Sequence, residues 1–152
     1  MKTPRIPASS QRRQRGVGLV EVLVAVVVLA FGLLGIAAMQ LTSLRNSQSA
    51  LERSQAVAQT YAILDAMRAN RPVAMIGGYN INKTCTLPDP GNLVANDLRH
   101  WLITMQDPQI LGPNTCGQIT CGTASCRIQV WWDNSRSKGG SAQELVTTNT
   151  LL

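Results

Sequence analysis

Between Glu21 and Arg45 the chain has no charged residue, and between Val17 and Leu44 it has no proline. The first absence excludes a solvated helix over this stretch, and the second removes the residue that would break one. Histidine occurs once, as His100. No serine or cysteine nucleophile context surrounds it, so His100 is expected as a solvated residue on a helix face. There is no C-x-x-C redox motif, no phosphate-binding glycine loop, no carboxylate pair and no catalytic triad. The expectation is a non-enzyme with no catalytic residue, no cofactor and no metal site. No internal repeat is visible.

Charge is unevenly placed. The 152 residues carry a formal net charge of +6, but Lys2, Arg5, Arg12, Arg13 and Arg15 all precede Gly16, and without them +6 becomes +1. A basic surface for nucleic acid is therefore not expected. Positive charge beside a first apolar segment holds that flank in the cytoplasm and sends the following chain across the membrane. The apolar run over 17–44 is longer than the about 20 residues needed to span a bilayer. It also exceeds the about 7–15 residues of a secretory-signal core. One carboxylate, Glu21, interrupts its start. An acid at mid-membrane costs about 2.5–3.5 kcal/mol, so an intramembrane acid marks a function.

A basic leader ending in Gly16, then Val17-Gly18-Leu19-Val20-Glu21 and the apolar run, resembles the type III signal of type IV pilins and pseudopilins. Further tracts look like the minor pilins called type IV pilus modification proteins, the PilV kind. These are Glu21-Val22-Leu23-Val24-Ala25, Gly32-Leu33-Leu34-Gly35, Ser54-Gln55-Ala56 and Asp65-Ala66-Met67-Arg68-Ala69-Asn70-Arg71. The resemblance covers residues 16–71. Val17 stands where many pilins have Phe or Met, and Ala38 where many major pilins have Pro.

The resemblance implies cleavage by a prepilin peptidase between Gly16 and Val17 and methylation of the new N-terminus at Val17. It implies that Glu21 of an incoming subunit pairs with the N-terminal amine of a neighbour during assembly. That amine has a reference pKa near 8 and is mostly protonated at neutral pH. The implied partners are the peptidase, other minor and major pilins, the inner-membrane assembly platform, and membrane lipid before assembly. The implied location is the inner membrane, single-pass with the C-terminal region periplasmic, and then the pilus at the cell surface. The implied fold class is α+β, a long N-terminal helix packed on a small antiparallel sheet.

The expected organisation is a cleaved leader over 1–16, a membrane and assembly helix over 17–44, its periplasmic continuation over 45–71, and a globular region over 72–152. In the continuation, Leu44, Leu51, Ala58, Tyr61, Ala62 and Leu64 form an apolar stripe at helical spacing. Pro72 ends the run by biasing Arg71 out of helix. Glycine and proline mark 72–92 as loop. A short helix follows over 93–106, with Asn92 as N-cap and Val94, Leu98, Trp101, Leu102 and Met105 on one face. Ile128, Val130 and Trp132 alternate with Arg127, Gln129 and Trp131 in a strand. A polar connection, Asp133 to Gly140, leads to a second strand over Glu144 to Leu151. Residues around Ile119 add a third, shorter one.

Cys85, Cys116, Cys121 and Cys126 lie on the exported side, where disulfides persist. A zinc site would prefer C-x2–4-C pairs, a range that includes the C-x4-C spacing of Cys116, Cys121 and Cys126, with His100 as a fourth-ligand candidate; disulfides suit a small domain on the exported side better. Four cysteines allow three connectivities. Cys116 to Cys126 would close a short loop, and Cys85 to Cys121 would tie the mid-loop to the C-terminal region. Trp131 and Trp132 point to opposite sheet faces, so one is expected outward. No basic groove accompanies the tryptophans, so core packing is favoured over base stacking. Four functions remain to be separated: a minor pilin of a type IV pilus, a pseudopilin of type II secretion, a DNA-uptake pilin, and a plain membrane-anchored periplasmic domain. The 65–71 tract favours the first over the second. The near-neutral mature charge argues against the third, and Gly16 with Glu21 against the fourth.

Overall fold

A computed structural model describes residues 16–122, 125–137 and 139–152. The leader Met1–Arg15 lies outside the described residues, as does Lys138 in the expected 133–140 connection. The chain divides into two compact units, Met1–Met39 and Gln40–Leu152.

The first unit contains the beginning of α1, a 51-residue helix over Leu19–Ala69. Its side chains from Leu19 to Met39 are exposed throughout. Intrahelical hydrogen bonds satisfy the backbone of this stretch, and among the described residues of the unit none is buried.

The second unit is α+β, as the resemblance implied. The rest of α1 buries Ala56, Thr60, Ile63, Leu64 and Met67 on one face. Their spacing is i, i+4, i+7, i+8, i+11, the stripe of a helix packed on a core. This corrects the expected stripe. Of its members only Leu64 is buried; Leu44, Leu51, Ala58, Tyr61 and Ala62 lie exposed. The core face includes a polar residue, Thr60, because its hydroxyl bonds to the Val57 carbonyl at 2.8 Å and to Thr148 Oγ1 at 2.9 Å. A bonded hydroxyl can be buried where a bare one cannot.

The helix stops at Ala69, and a five-residue helix, α2, follows over Arg71–Met75 with Pro72 in its first turn. Proline is tolerated there because the first-turn amides have no intrahelical partner. The expected loop over 72–92 therefore contains most of α2, and also β1, Ile81–Thr84. A four-residue strand with a single apolar residue carries almost no alternation, and it forms because β2 is there to pair with it.

α3 runs over Leu93–Met105, capped as expected: Asn92 accepts from the Ala95 amide at 2.9 Å. Leu98, Trp101, Leu102 and Met105 are buried, and Val94 is half-buried. Then come β2 (Cys116–Cys121), β3 (Ser125–Trp132) and β4 (Glu144–Leu151). The four strands form one sheet in sequence order, antiparallel throughout. Ile119 of β2 and Cys126, Ile128, Val130 and Trp132 of β3 turn inward to join the helical residues in one core. Gly117 makes that closeness possible. A Cβ there would stand 2.5 Å from the Trp101 ring, far inside van der Waals contact.

Candidate processing and assembly site

Gly16, Val17 and Gly18 precede the helix. The amides of Glu21 and Val22 donate to the Gly18 carbonyl at 3.0 and 3.2 Å, closing the first turn of α1. Glu21 is thus a carboxylate in a first helical turn, where the helix dipole favours negative charge by about 0.3–1 kcal/mol. Its side chain is exposed. Gly16 has no neighbour within 4 Å of where a Cβ would stand, and its φ is not in the left-handed region. Among the described residues, nothing in the fold asks for glycine at 16. A glycine suits a partner that must approach the backbone closely.

Beyond Glu21, α1 is long and apolar enough to cross a membrane. Gly32 and Gly35 also have nothing within 4 Å. Three residues apart, they leave a dent on the helix where another helix can approach.

The cysteines are paired as Cys85–Cys116 and Cys121–Cys126. Neither Cys116 to Cys126 nor Cys85 to Cys121 is formed. The reason is strand register. Cys121 and Cys126 are direct cross-strand partners flanking the β2–β3 turn. Cys85 follows the last residue of β1, while Cys116 opens β2. The longer bridge therefore staples the whole excursion that carries α3. Among the described residues no group of three or more His, Cys, Asp or Glu side chains is placed to hold a metal ion.

His100 is exposed on α3 beside a shallow cleft of about 190 Å³ that it shares with Gln59, Asp97 and Trp101. Trp101 is buried, and its indole N–H donates to the Gln59 carbonyl at 3.0 Å. Trp132 is the inward member of the strand pair, and its indole donates to Glu52 Oε2 at 3.2 Å. Trp131 faces outward with the Lys83 ammonium 4.6 Å from its ring centroid. All three rings are thus occupied by packing or by cation–π contact.

Several working residues left no sequence signal. Buried Tyr79 donates to Asp97 Oδ2 at 2.6 Å and accepts from Asn70 Nδ2 at 3.3 Å. Burial, and then the bond to Asp97, raise its phenol above the ordinary value. Asn80 bonds both backbone groups of Cys121, accepting at 2.7 Å and donating at 3.2 Å. Arg53 pairs with Glu144 at 3.1 Å. Each joins positions distant in sequence, so no local pattern announces it.

No curated protein and no solved structure matches the chain. Residues 11–37 match the family described as the prokaryotic N-terminal methylation motif. That motif and the apolar helix support a type IV pilin-like or pseudopilin protein, anchored in a membrane before assembly, processed by a prepilin peptidase and assembled with other pilins.

Proposed function

We propose that this chain is a minor pilin, a low-copy structural subunit that primes assembly of a type IV pilus or is built into it. One observation carries the proposal. A carboxylate, Glu21, lies in the first turn of a helix whose apolar residues from Leu19 to Met39 are all exposed, five positions after a glycine that nothing among the described residues requires. Cleavage after Gly16 would free the amine of Val17, a cation for a carboxylate that has no salt-bridge partner among the described residues. In lipid, pairing Glu21 with the amine of a neighbouring subunit removes two unpaired charges together. Residues 17–44 then serve as the membrane segment before assembly and as the packing surface after it. Residues 45–152 face the periplasm, with the basic leader holding 1–16 in the cytoplasm.

The methylation motif serves pseudopilins of type II secretion equally well. The 65–71 tract, similar to the PilV kind, favours the pilus. The near-neutral mature charge speaks against DNA uptake. No catalytic role is proposed.

The test has two parts. Intact-mass measurement of the protein from cells with active prepilin peptidase is expected to show loss of sixteen residues and gain of a methyl group. Glu21→Val is expected to leave insertion and cleavage intact while depleting the protein from sheared pili. Full-length chain alone in the first experiment, or normal incorporation of the valine variant in the second, would overturn the proposal.

A further inference from the structure

The two edges of the sheet are built differently. β1 has four residues, an irregular register with β2, and Lys83 with its ammonium over Trp131. Shortness, irregularity and a charged side chain are the usual ways of blunting an edge. β4 has eight residues, pairs with β3 in unbroken register, and contains neither proline nor lysine. Among the described residues no strand lies on its other side.

The hydrogen-bonding phase identifies what that edge presents. At the β2–β3 turn the Gly122 amide donates to the Ser125 carbonyl at 2.9 Å. Alternate residues of an antiparallel strand bond to the same neighbour. Ser125, Arg127, Gln129 and Trp131 therefore turn their backbone groups toward β2, and the intervening residues turn theirs toward β4. The partners of those intervening residues are Glu144, Val146, Thr148 and Thr150. This leaves the amides and carbonyls of Leu145, Thr147, Asn149 and Leu151 facing away from β3. The side chains of Leu145 and Leu151 are 44% and 71% exposed.

The contacts of α1 give the edge a direction. Arg53 meets Glu144, Thr60 meets Thr148, and Arg71, just past the helix, meets the Leu152 carbonyl. The order is the same along both elements, so this part of α1 runs parallel to β4. A second copy joined β4 to β4 with both helices on one face of the continued sheet would be antiparallel, and its helix would point the opposite way. Subunits leaving one membrane side by side have helices that point the same way. A second copy in that orientation offers β4 only its blunted β1.

We propose that β4 receives one extended strand from a different pilin-like subunit, laid antiparallel to it and bonded to the backbone of Leu145, Thr147, Asn149 and Leu151. In a subunit of the same fold and orientation the first strand runs against the helix, so it meets β4 in this sense. The proposal rests on the minor-pilin reading, which supplies the parallel helices.

The test uses the full-length chain in its own cells, with photoreactive p-benzoylphenylalanine in place of Thr147. Irradiation and mass spectrometry are expected to give an adduct to an edge strand of another pilin-like subunit. Asn149→Pro removes an outward amide and spares the β3 ladder, a placement that edge strands tolerate. It is expected to lower the adduct about tenfold, on the scale of a lost hydrogen bond and a ring in its place, with leader cleavage and both disulfides retained. Leu145→Lys charges the edge without touching the backbone and is expected to act in the same direction. An adduct to a second copy, no adduct at all, or an adduct undiminished in both variants overturns the proposal. Presence in sheared filaments is scored separately. A chain found there without an adduct loses this inference alone, whereas absence from filaments counts against the minor-pilin reading.

Discussion

The two disulfides close loops of unequal length, and removing them is expected to have unequal effects. Cys85–Cys116 spans a separation of 31 residues and Cys121–Cys126 one of 5. The entropy that a bridge removes from the unfolded chain grows with the logarithm of loop length. At 25 °C this gives about 3.7 kcal/mol for the longer loop and about 2 kcal/mol for the shorter. Paired alanine substitutions avoid leaving a free thiol: Cys85→Ala with Cys116→Ala, and Cys121→Ala with Cys126→Ala. The assay is urea unfolding of the full chain in mild detergent, followed by tryptophan fluorescence, since Trp101, Trp131 and Trp132 all lie in the sheet-containing unit. With a urea slope of about 1–1.5 kcal/mol/M, the midpoint falls by about 2.5–3.7 M for the longer bridge and about 1.3–2 M for the shorter. Equal losses, or a greater loss for the short loop, would refute loop closure as the source. The bridges would then act through contacts in the folded state.

Two further outcomes can be checked in the same assay. Gly117→Ala drives a methyl against the Trp101 ring and to 3.3 Å from Met105 Cε, and is expected to cost about 1–3 kcal/mol by overpacking; Gln118→Ala, on the other sheet face, is the control and is expected to be near neutral. Tyr79→Phe removes the bonds to Asp97 and Asn70 and is expected to cost about 1–2 kcal/mol at pH 7. Because the folded-state pKa of Tyr79 is raised, its contribution is fully present below the unfolded value near 10 and is lost as pH rises through the folded value. The gap between wild type and Tyr79→Phe therefore narrows above pH 10, and a gap that widened there would contradict the buried neutral phenol.

What the sequence shows and what it hides divide along a physical line. The methylation motif was legible because neighbouring residues carry it: a glycine, an acid and an apolar run follow one another along the chain and are read without the fold. α3 was legible because Asn92 caps it and five apolar residues share one face. β3 and β4 were legible through alternation and the turn residues before β4. β1 was hidden because Ile81-Asn82-Lys83-Thr84 owes its structure to a partner. The true core face of α1 was hidden for a related reason. Thr60 becomes a core residue only where β4 brings Thr148 to the helix, whereas Leu51 and Tyr61 are more apolar and stay outside. Met67 and Asn70, in the 65–71 tract, serve the fold itself, one in the core and one on Tyr79.

The bonds from α1 to β3, β4 and the connection between them join residues 80, 85, 88 and 91 positions apart. A chain made from its N-terminus presents α1 early, and Ile63, Leu64 and Met67 then have nothing to lie against. β3 and β4 are the last strands in chain order. At roughly 5–20 residues per second, their synthesis follows that of the helix by several seconds. Closure across such separations is slow in any case. The core is therefore completed as a final event, and the apolar face of the helix stays bare until β3 and β4 arrive to cover it.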